Sequence, residues 1–353
     1  MRRTGGAGGS ASFDYNAADR KVYEERIRDF LPDRIADIHT HVWLDAHKTH
    51  DPREFDRVVS WPTLVAKDNP IEDLDACYAL LFPGKTVTPL IFSEVGPGDD
   101  IDAMNAYAAA SARSRGYPAL LFARPDWTGG ELSARLDAGG FVGAKVYLSF
   151  APAYLPREEI RIFDFLPPEQ LHELDRRKAI VMLHIPRSGR LRDPVNIAQL
   201  LEIEANFPSI KLVVAHAGRA YCEEDLGDAP ERLGGTRNLV FDLSANTNAA
   251  VFARLLRAFG PDRCLFGSDL PITRMRMRRI CTGGRYVNLV PRGRYGDVSG
   301  DPNMAELDPP KAESLSLFLY EEILAIRTAC EAVGLDRADV EKIFEGNAQR
   351  LIP

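Results

Sequence analysis

The 353-residue chain is 45% hydrophobic and 27% charged, which is typical of a globular protein built as one large barrel or two ordinary domains. Its net charge of -7 argues against a general nucleic-acid binder, although local arginines can still attract a small anion to one pocket. The five cysteines form no CxxC pair, which favours a reduced cytoplasmic protein over a disulfide scaffold. No apolar run reaches the roughly 18 residues of a membrane helix, so we expect no membrane partner.

The chain begins with a segment rich in glycine and serine, which predicts a flexible tail over residues 1–16. This segment lacks the apolar core of a signal peptide. Residues 17–31 then repeat apolar side chains at helical spacing, which predicts an amphipathic helical extension ahead of the main fold. We expect a single domain over residues 17–353.

Eight short apolar runs follow, each bounded by proline, glycine or charged residues, as expected of strands buried on both faces. They cover 35–44, 86–95, 118–127, 141–150, 179–186, 211–218, 239–246 and 264–271. Helical patterns lie between these runs, so the chain alternates strand and helix eight times. This alternation predicts an α/β fold in which a parallel sheet closes into a (β/α)8 TIM barrel. The alternative is an open doubly wound sheet, but no glycine-rich phosphate motif follows the first run.

Two long segments interrupt the alternation, 45–69 after the first strand and 272–312 after the eighth. Both follow the carboxyl ends of strands, which form the active-site face of such a barrel. We therefore interpret them as long loops that act as lids or recognise substrate. The basic run from Arg274 to Arg279 is too short, in an acidic chain, to favour a nucleic-acid surface.

The sequence ADIHTHVW places two histidines at the end of the first strand. Side chains of a strand alternate between its faces, so His39 and His41 share one side. Two imidazoles on one face make a ready pair of metal ligands. Taken alone, the pair is equally consistent with a chance occurrence in a loop.

Further polar residues end other strands of the predicted barrel. They are Lys145 in the fourth run, His184 in the fifth, His216 in the sixth and Asp269 in the eighth. A buried imidazole or carboxylate needs a partner or a metal, and groups that converge at one barrel mouth can supply each other. A lone His184 or His216 would more often be a satisfied core histidine, but the joint pattern is far more specific.

The order HxH, Lys, His, His, Asp on strands one, four, five, six and eight resembles the amidohydrolase superfamily of metal-dependent barrels. The sequences DIHTH, HAG, FGSD and IFEGNAQRLI resemble its amidohydrolase-2 branch. That branch includes hydrolases, lactonases and non-oxidative decarboxylases of the aminocarboxymuconate-semialdehyde type. The resemblance covers nearly the whole chain.

The resemblance implies a metal site of four ligands, His39, His41, His184 and Asp269. It implies one divalent metal, with Zn²⁺ favoured and Mn²⁺ as the alternative. His216 would be a catalytic imidazole beside this metal, or a ligand if a second metal is present. Lys145 keeps three interpretations: an unmodified amine that contacts substrate, which we favour, a carboxylated lysine that bridges two metals, and a structural lysine.

These roles fit the hydrolysis of an ester, lactone or amide. A bound zinc ion lowers the pKa of a water molecule to about 7. Asp269 would take the proton and return it to the leaving group, while protonated His216 would stabilise charge on the substrate oxygen. The same site suits the decarboxylation of an aromatic or unsaturated acid, and the sequence does not separate the two reactions. A barrel that only binds ligand is a third alternative, against which the complete polar set argues.

Arginines near two of the proposed ligands indicate the kind of substrate. Arg187 follows His184 and Arg219 follows His216, and arginine binds carboxylates through two parallel hydrogen bonds. The alternative is that both are solvated loop charges. Tyr147 shares a strand face with Lys145 and is a further candidate for substrate binding. We expect a small, anionic substrate and no nucleic-acid partner, and the chain is compatible with a homo-oligomer.

Overall fold

The computed structural model describes residues 13–49 and 65–353. Its central element is a set of eight parallel strands, each of which overlaps one of the eight predicted runs. They are β1 Arg34–His41, β2 Thr86–Phe92, β3 Leu120–Phe122, β4 Gly143–Val146, β5 Ile180–Leu183, β6 Lys211–Val214, β7 Leu239–Asp242 and β8 Cys264–Leu265.

These eight strands form a closed ring. Strands β3 to β8 make a six-stranded parallel sheet in chain order, and β1 pairs with β2. The Ile91 N–H donates to the Pro118 carbonyl at 3.0 Å, which joins β2 to the start of β3. The Ile38 N–H donates to the Phe266 carbonyl at 3.1 Å, which joins β1 to β8. The predicted TIM barrel is therefore confirmed.

Helices surround the barrel at the positions that the alternation predicts. They are α1 Ala17–Val22, α2 Ile71–Leu81, α3 Ile101–Arg115, α4 Gly129–Gly139, α5 Pro168–Arg176, α6 Pro194–Asn206, α7 His216–Arg219, α8 Ala229–Leu233, α9 Ala249–Phe259, α10 Phe318–Val333, α11 Arg337–Glu341 and α12 Asn347–Leu351. The short segment α7 is an irregular turn rather than a regular helix, because its residues have left-handed φ values. Local sequence sets their ends. Helix α3 begins after Asp100, whose side chain accepts from the Ala103 N–H at 3.0 Å, and ends at Gly116 in the left-handed conformation.

Alternate residues of each strand enter two different apolar clusters. On β5, Ile180 and Met182 belong to the cluster inside the barrel, whereas Val181 and Leu183 pack in the cluster that includes the surrounding helices. This follows from the period of two along a strand. The barrel interior is therefore a packed apolar core, and the polar side chains of the candidate site lie near the carboxyl ends of the strands.

The predicted helical extension is present as α1 followed by a π-helical segment, Tyr23–Ile27. Tyr23 and Ile27 are buried, and the Tyr23 ring stacks on Tyr320 of α10 with centroids 6.0 Å apart. Residues 1–12 of the predicted tail lie outside the described residues. Within its last four residues, the Tyr15 ring contacts Tyr320 edge-on at 6.5 Å.

The segment 272–312 differs from the predicted loop, because it carries a three-stranded sheet. The strands are β9 Arg278–Thr282, β10 Arg285–Pro291 and β11 Met304–Leu307, in the order β11-β10-β9. Gly283 and Gly284 join β9 to β10 with φ of 58° and 71°, values that favour glycine in a two-residue hairpin turn. We call residues 272–312 the insertion. Residues 50–64 of the other predicted loop lie outside the described residues.

The expectation of wholly reduced cysteines is wrong for one pair. Cys222, which precedes α8, forms a disulfide with Cys281 of β9, with Cα atoms 5.6 Å apart. The expectation rested on the lack of local CxxC spacing, whereas these two cysteines are 59 residues apart and meet only in the fold. The other three cysteines, Cys77, Cys264 and Cys330, are buried and free.

Candidate metal centre

His39 and His41 lie side by side at the carboxyl end of β1, as the alternation of strand side chains requires. Both are buried. The His39 Nδ1 lies 2.6 Å from Oδ2 of Asp242 on β7. A carboxylate accepts, so Nδ1 carries the proton and the Nε2 lone pair is free. His39 Nε2 has no hydrogen-bond partner among the described residues, and this is how proteins orient a metal-binding imidazole.

Close packing between β1 and β8 explains the glycine of the FGSD sequence. A Cβ atom at Gly267 would lie 2.8 Å from the Cβ of His39. Only a residue without a side chain lets β8 approach His39 this closely. The glycine thus brings the following residues, Ser268 and Asp269, against the histidine pair.

Asp269 completes a first group of candidate ligands. Its Oδ1 lies 3.0 Å from Nε2 of His41 and 3.5 Å from Nε2 of His39. Burial raises the pKa of the Asp269 carboxyl to about 6, although neighbouring His216 opposes this shift. The same burial lowers the pKa of His41 to about 3. At neutral pH the group therefore offers neutral imidazoles and a carboxylate, the forms that bind metal.

His184 and His216 form the second part of the site. Their Nε2 atoms lie 2.9 Å apart. His216 Nδ1 lies 3.2 Å from the Ser244 carbonyl and 2.9 Å from its hydroxyl. The carbonyl can only accept, so His216 carries its proton on Nδ1. Burial disfavours the charged form and lowers the pKa of His216 to about 4, so this imidazole is neutral at neutral pH in the metal-free protein. Its protonated role during turnover stays a prediction.

The described residues hold three groups that could fit a cation, but the thiols of one, Cys222, Glu224 and Cys281, are taken up by the disulfide, and the other two overlap at the barrel mouth. One is His39, His184 and His216, and the other is His39, His41 and Asp269, with the ligand atoms of each group within 4.8 Å of one another. Imidazole nitrogens with one carboxylate oxygen suit Zn²⁺ and Mn²⁺. His39 belongs to both groups, so the residues of the predicted ligand set meet at one place. The free Nε2 of His39 is the strongest sign that they fit a metal.

The backbone is strained where the strand ends present these side chains. His216, Ala245 and Asp269 have φ of 55°, 48° and 53°, in the left-handed region that residues other than glycine rarely adopt. Such a conformation costs on the order of 1–3 kcal/mol for each residue and is concentrated at functional sites. The three residues follow β6, β7 and β8, so the strain lies around the imidazole and carboxylate groups.

A cavity of about 260 Å³ opens over this cluster. Four histidines and Asp269 lie along its wall, and the predicted substrate-binding residues Tyr147 and Arg219 line it as well. A larger cavity of about 510 Å³ lies at the opposite end of the barrel, beside Arg34 and Thr86 at the start of β1 and β2. The carboxyl ends of the strands are where barrel enzymes carry their active sites, and only the smaller cavity contains the histidine cluster.

Lys145 lies beneath this cavity and does not line it. It is fully buried on β4, and its Nζ has no hydrogen-bond acceptor among the described residues. The amine lies 5.1 Å from the Phe92 ring centre and 4.9 Å from that of Tyr147. Burial lowers the pKa of Lys145 to about 7 despite the opposing effect of Asp242. A substantial fraction of the amine is therefore neutral at neutral pH.

Arg187, like Lys145, is a predicted substrate-binding residue that does not line the cavity. Its Nε donates to Asp193 Oδ2 at 3.2 Å. Asp193 also caps the start of α6, where its Oδ1 accepts from the Val195 N–H at 2.9 Å. The sequence position just after a ligand strand suggested a substrate contact, but a nearby capping carboxylate engages this guanidinium.

The structure adds residues that the sequence reasoning did not select. Asp242 and Ser244 end β7 in the run LVFDLSAN and hold His39 and His216. A polar residue ending an apolar strand was the signal used elsewhere, and it applied to Asp242 equally well. Arg279 and Tyr286 of the insertion also line the cavity, and no strand-end pattern marks them.

Comparison with known proteins agrees with this description. A family model described as Amidohydrolase matches residues 36–353. A search of curated protein sequences finds no match. Within the described ranges, no helix combines the length and apolar character needed to cross a membrane.

Solved structures of similar fold include three that carry informative ligands. A zinc-bound amidohydrolase from Burkholderia multivorans is 14% identical, with a TM-score of 0.56 over 90% of this chain and 99% of that chain. A probable 2-pyrone-4,6-dicarboxylic acid hydrolase from Acinetobacter baumannii with bound citric acid is 14% identical, with a TM-score of 0.51 over 90% and 98%. A dihydroxybenzoic acid decarboxylase from Polaromonas sp. JS666, with bound manganese and 2-nitroresorcinol, is 14% identical, with a TM-score of 0.52 over 91% and 97%.

A barrel whose mouth gathers histidine and aspartate side chains that fit a metal is the architecture of the metal-dependent barrel enzymes. The match over residues 36–353 goes further, and the chain belongs to the amidohydrolase family, in its amidohydrolase-2 branch. Members of this family are hydrolases or decarboxylases, and the solved structures above include both.

Proposed function

We propose that this protein is a metal-dependent hydrolase that cleaves an ester, lactone or amide of a small substrate bearing a carboxylate. The observation that carries the proposal is Asp269. It is a cavity-lining carboxylate whose Oδ1 lies 3.0 Å from Nε2 of His41 and 3.5 Å from Nε2 of His39. A carboxylate placed at the metal ligands is within reach of a water molecule held there and can take and return its proton.

We assign the metal to His39, His41, His184 and Asp269, and the favoured occupant is one Zn²⁺, with Mn²⁺ as the alternative. When bound there, a divalent cation supplies Lewis acidity, which polarises a substrate oxygen and makes a water molecule more acidic. Asp242 keeps the proton on Nδ1 of His39 and so keeps Nε2 available. A second cation with a carboxylated Lys145 is the less favoured arrangement.

The proton transfers are assigned to Asp269 and His216. Asp269 takes a proton from the attacking water and delivers it to the leaving oxygen or nitrogen. His216 begins neutral and holds its Nδ1 proton against Ser244, so its Nε2 lone pair is available to accept the second proton of the attacking water as the acid product forms, and then to release it to solvent. Lys145 remains an amine in this proposal, buried beneath the cavity without a hydrogen-bond acceptor among the described residues.

The substrate is proposed to be a small anion held by Arg219, with Tyr147 along its side. Arg219 Nη1 donates to the carbonyls of Ile185 and Pro186, both at 3.1 Å. These bonds fix the guanidinium at the cavity wall, and none of them neutralises its charge. Arg187 is left out of this role because Asp193 engages it.

The second candidate is a non-oxidative decarboxylase acting on an aromatic or unsaturated acid. The observation that favours it is the number of tyrosines at the cavity, since Tyr147, Tyr221 and Tyr286 all line it. Rings of this kind pack well against a flat substrate. The two reactions differ in their products, so chemistry separates them directly.

The experiment uses full-length protein loaded with zinc and, separately, with manganese. Acid release from lactones and aryl esters that carry a carboxylate is followed at constant pH, and release of labelled carbon dioxide is followed from aromatic acids. We expect acid release, no carbon dioxide, and loss of turnover in Asp269→Asn. Release of carbon dioxide without any hydrolysis would establish the second candidate instead. A cytoplasmic location and a homo-oligomeric assembly remain predictions.

A further inference from the structure

The wall of the cavity formed by the insertion carries a buried positive charge. Arg279 of β9 and Tyr286 of β10 line the cavity opposite the barrel residues. The side chain of Arg279 is almost enclosed, because the residue is only 8% exposed. Tyr221, which lies outside the insertion, lines the same cavity.

Protein atoms hold the Arg279 guanidinium firmly. Its Nε donates to Oδ1 of Asn288 at 2.8 Å, and its Nη1 donates to the carbonyl of Ala245. Its carbon centre lies 4.2 Å from the Tyr221 ring centre and 5.0 Å from that of Tyr286. Stacking of this kind fixes the plane of a guanidinium and adds a modest cation–π attraction.

Arg279 nevertheless forms no ion pair, and Asp269 of the same cavity acts on its charge only at longer range. Among the described residues no carboxylate lies within ion-pair distance of its guanidinium, and no acceptor is found for Nη2. The neighbouring Arg190 shows the contrast, because it stacks on the same two tyrosines but pairs with Asp225. A buried cation without a partner is unfavourable, and burial accordingly lowers the pKa of Arg279. An anion in the cavity would relieve this cost.

Arg219 presents a second guanidinium of the same kind. It also lines the cavity, and within the described part of the chain its charge is met only by backbone carbonyls. Arg219 follows β6 of the barrel, whereas Arg279 belongs to the insertion, so the two charges reach the cavity from different parts of the fold. Both guanidinium groups lie near Tyr221 and Tyr286, which influence the pKa of each.

We infer that Arg279 is a specificity-determining residue that binds a second anionic group of the substrate, so that the substrate is a flat dianion. Arg219 binds one carboxylate, Arg279 binds the other, and the body of the substrate packs against Tyr221 and Tyr286. This inference deepens the proposed function, because it names the substrate class of the same cavity. The insertion then recognises the second charge of the substrate, while the barrel supplies Arg219 and the reacting groups.

Binding measurements on the zinc-loaded full chain test the inference without requiring any turnover. The probes are isophthalate and 3-carbamoylbenzoate, which share shape but carry two carboxylates and one. We expect wild type to bind isophthalate about tenfold more tightly, since a hydrogen bond between charged groups is stronger than one to an amide. Arg279→Gln should abolish this preference.

Arg278→Gln is the matched control, because Arg278 is the adjacent residue of β9 and pairs instead with Glu321 at 2.9 Å. It should keep the preference for isophthalate. Arg279→Lys retains the charge and carries the test if the glutamine variant does not fold, with an expected preference of about threefold. The inference fails if wild type shows no preference, if Arg279→Gln keeps it, or if Arg278→Gln loses it. Failure of the proposed hydrolysis with these binding results intact would contradict the reaction and not the role of Arg279.

Discussion

At the scale of single residues, the proton on His39 decides whether the site can take a metal. Asp242 holds that proton on Nδ1 at 2.6 Å and leaves Nε2 free. His39 itself could be selected from the sequence, because HxH at a strand end is a local pattern. Its orientation could not, because Asp242 lies 203 residues away and meets it only when β7 and β1 share one barrel mouth.

Asp242→Asn should therefore lower zinc affinity by about 10- to 100-fold, since loss of a carboxylate behind a metal-binding histidine has this effect. The measurement is a competitive titration against a chelator of known affinity. Glu345→Gln, which breaks the ion pair with Arg34 at the other end of the barrel, is the control and should leave the affinity unchanged. Equal affinity in Asp242→Asn and wild type would show that the His39 proton is not set by this carboxylate.

His216→Asn should keep zinc while kcat falls by about 10²-fold or more, as expected when a general acid–base group is removed. Asparagine can still donate to the Ser244 carbonyl, so the local hydrogen bonds survive. Zinc content and steady-state rates on the hydrolysed substrate are measured together. Turnover near the wild-type value would remove His216 from the proton transfers, and loss of zinc would make it a ligand.

At the scale of elements, the barrel strands and most of the helices follow from sequence periodicity, and the insertion does not. The run 211–218 is apolar over 212–215 and marks a buried strand, so β6 was predicted close to its observed place. The insertion instead carries arginines in its strands, and the absence of an apolar run led to the prediction of a loop. The turn at Gly283 and Gly284 was the available signal for its hairpin. Its position over the cavity depends on contacts between distant segments, and sequence patterns carry no information about these.

The disulfide between Cys222 and Cys281 fastens this insertion to the loop that carries Tyr221. Cys281→Ser should lower the free energy of unfolding by up to about 4 kcal/mol in the chain-entropy model of a 59-residue separation. Zinc content should not change, because neither cysteine lies among the candidate ligands of the histidine cluster. The measurement is a urea titration with and without reductant. Reductant should lower the free energy of unfolding of the wild-type protein and leave that of Cys281→Ser unchanged. An unchanged value for wild type in reductant would contradict a structural role for the bond.

At the scale of the whole molecule, the barrel mouth gathers several buried ionisable groups at one place. The fold stabilises this arrangement through the surrounding apolar clusters, which can support a few unfavourable buried groups. Lys145 is the clearest example, since its amine is fully buried without an acceptor among the described residues. Its burial should therefore be visible in the pH dependence of stability.

In the unfolded chain Lys145 keeps its proton up to its ordinary pKa of 10.5, whereas in the folded protein it loses the proton near pH 7. Between these values the unfolded state binds more protons, so the free energy of unfolding of the metal-free protein should rise with pH. Lys145→Met should remove this rise and stabilise the protein at pH 7, by on the order of a few kcal/mol. Urea titrations at pH 7 and pH 9.5 measure both effects. The same rise with pH in both proteins would show that Lys145 does not ionise as described.

The most direct test of the account is anomalous X-ray diffraction from zinc-loaded crystals, recorded on both sides of the zinc absorption edge. The account predicts one anomalous peak, bound by Nε2 of His39 together with His41, His184 and Asp269, and an unmodified Lys145. Two peaks bridged by a carboxylated Lys145, or no peak at the histidine cluster, would contradict it.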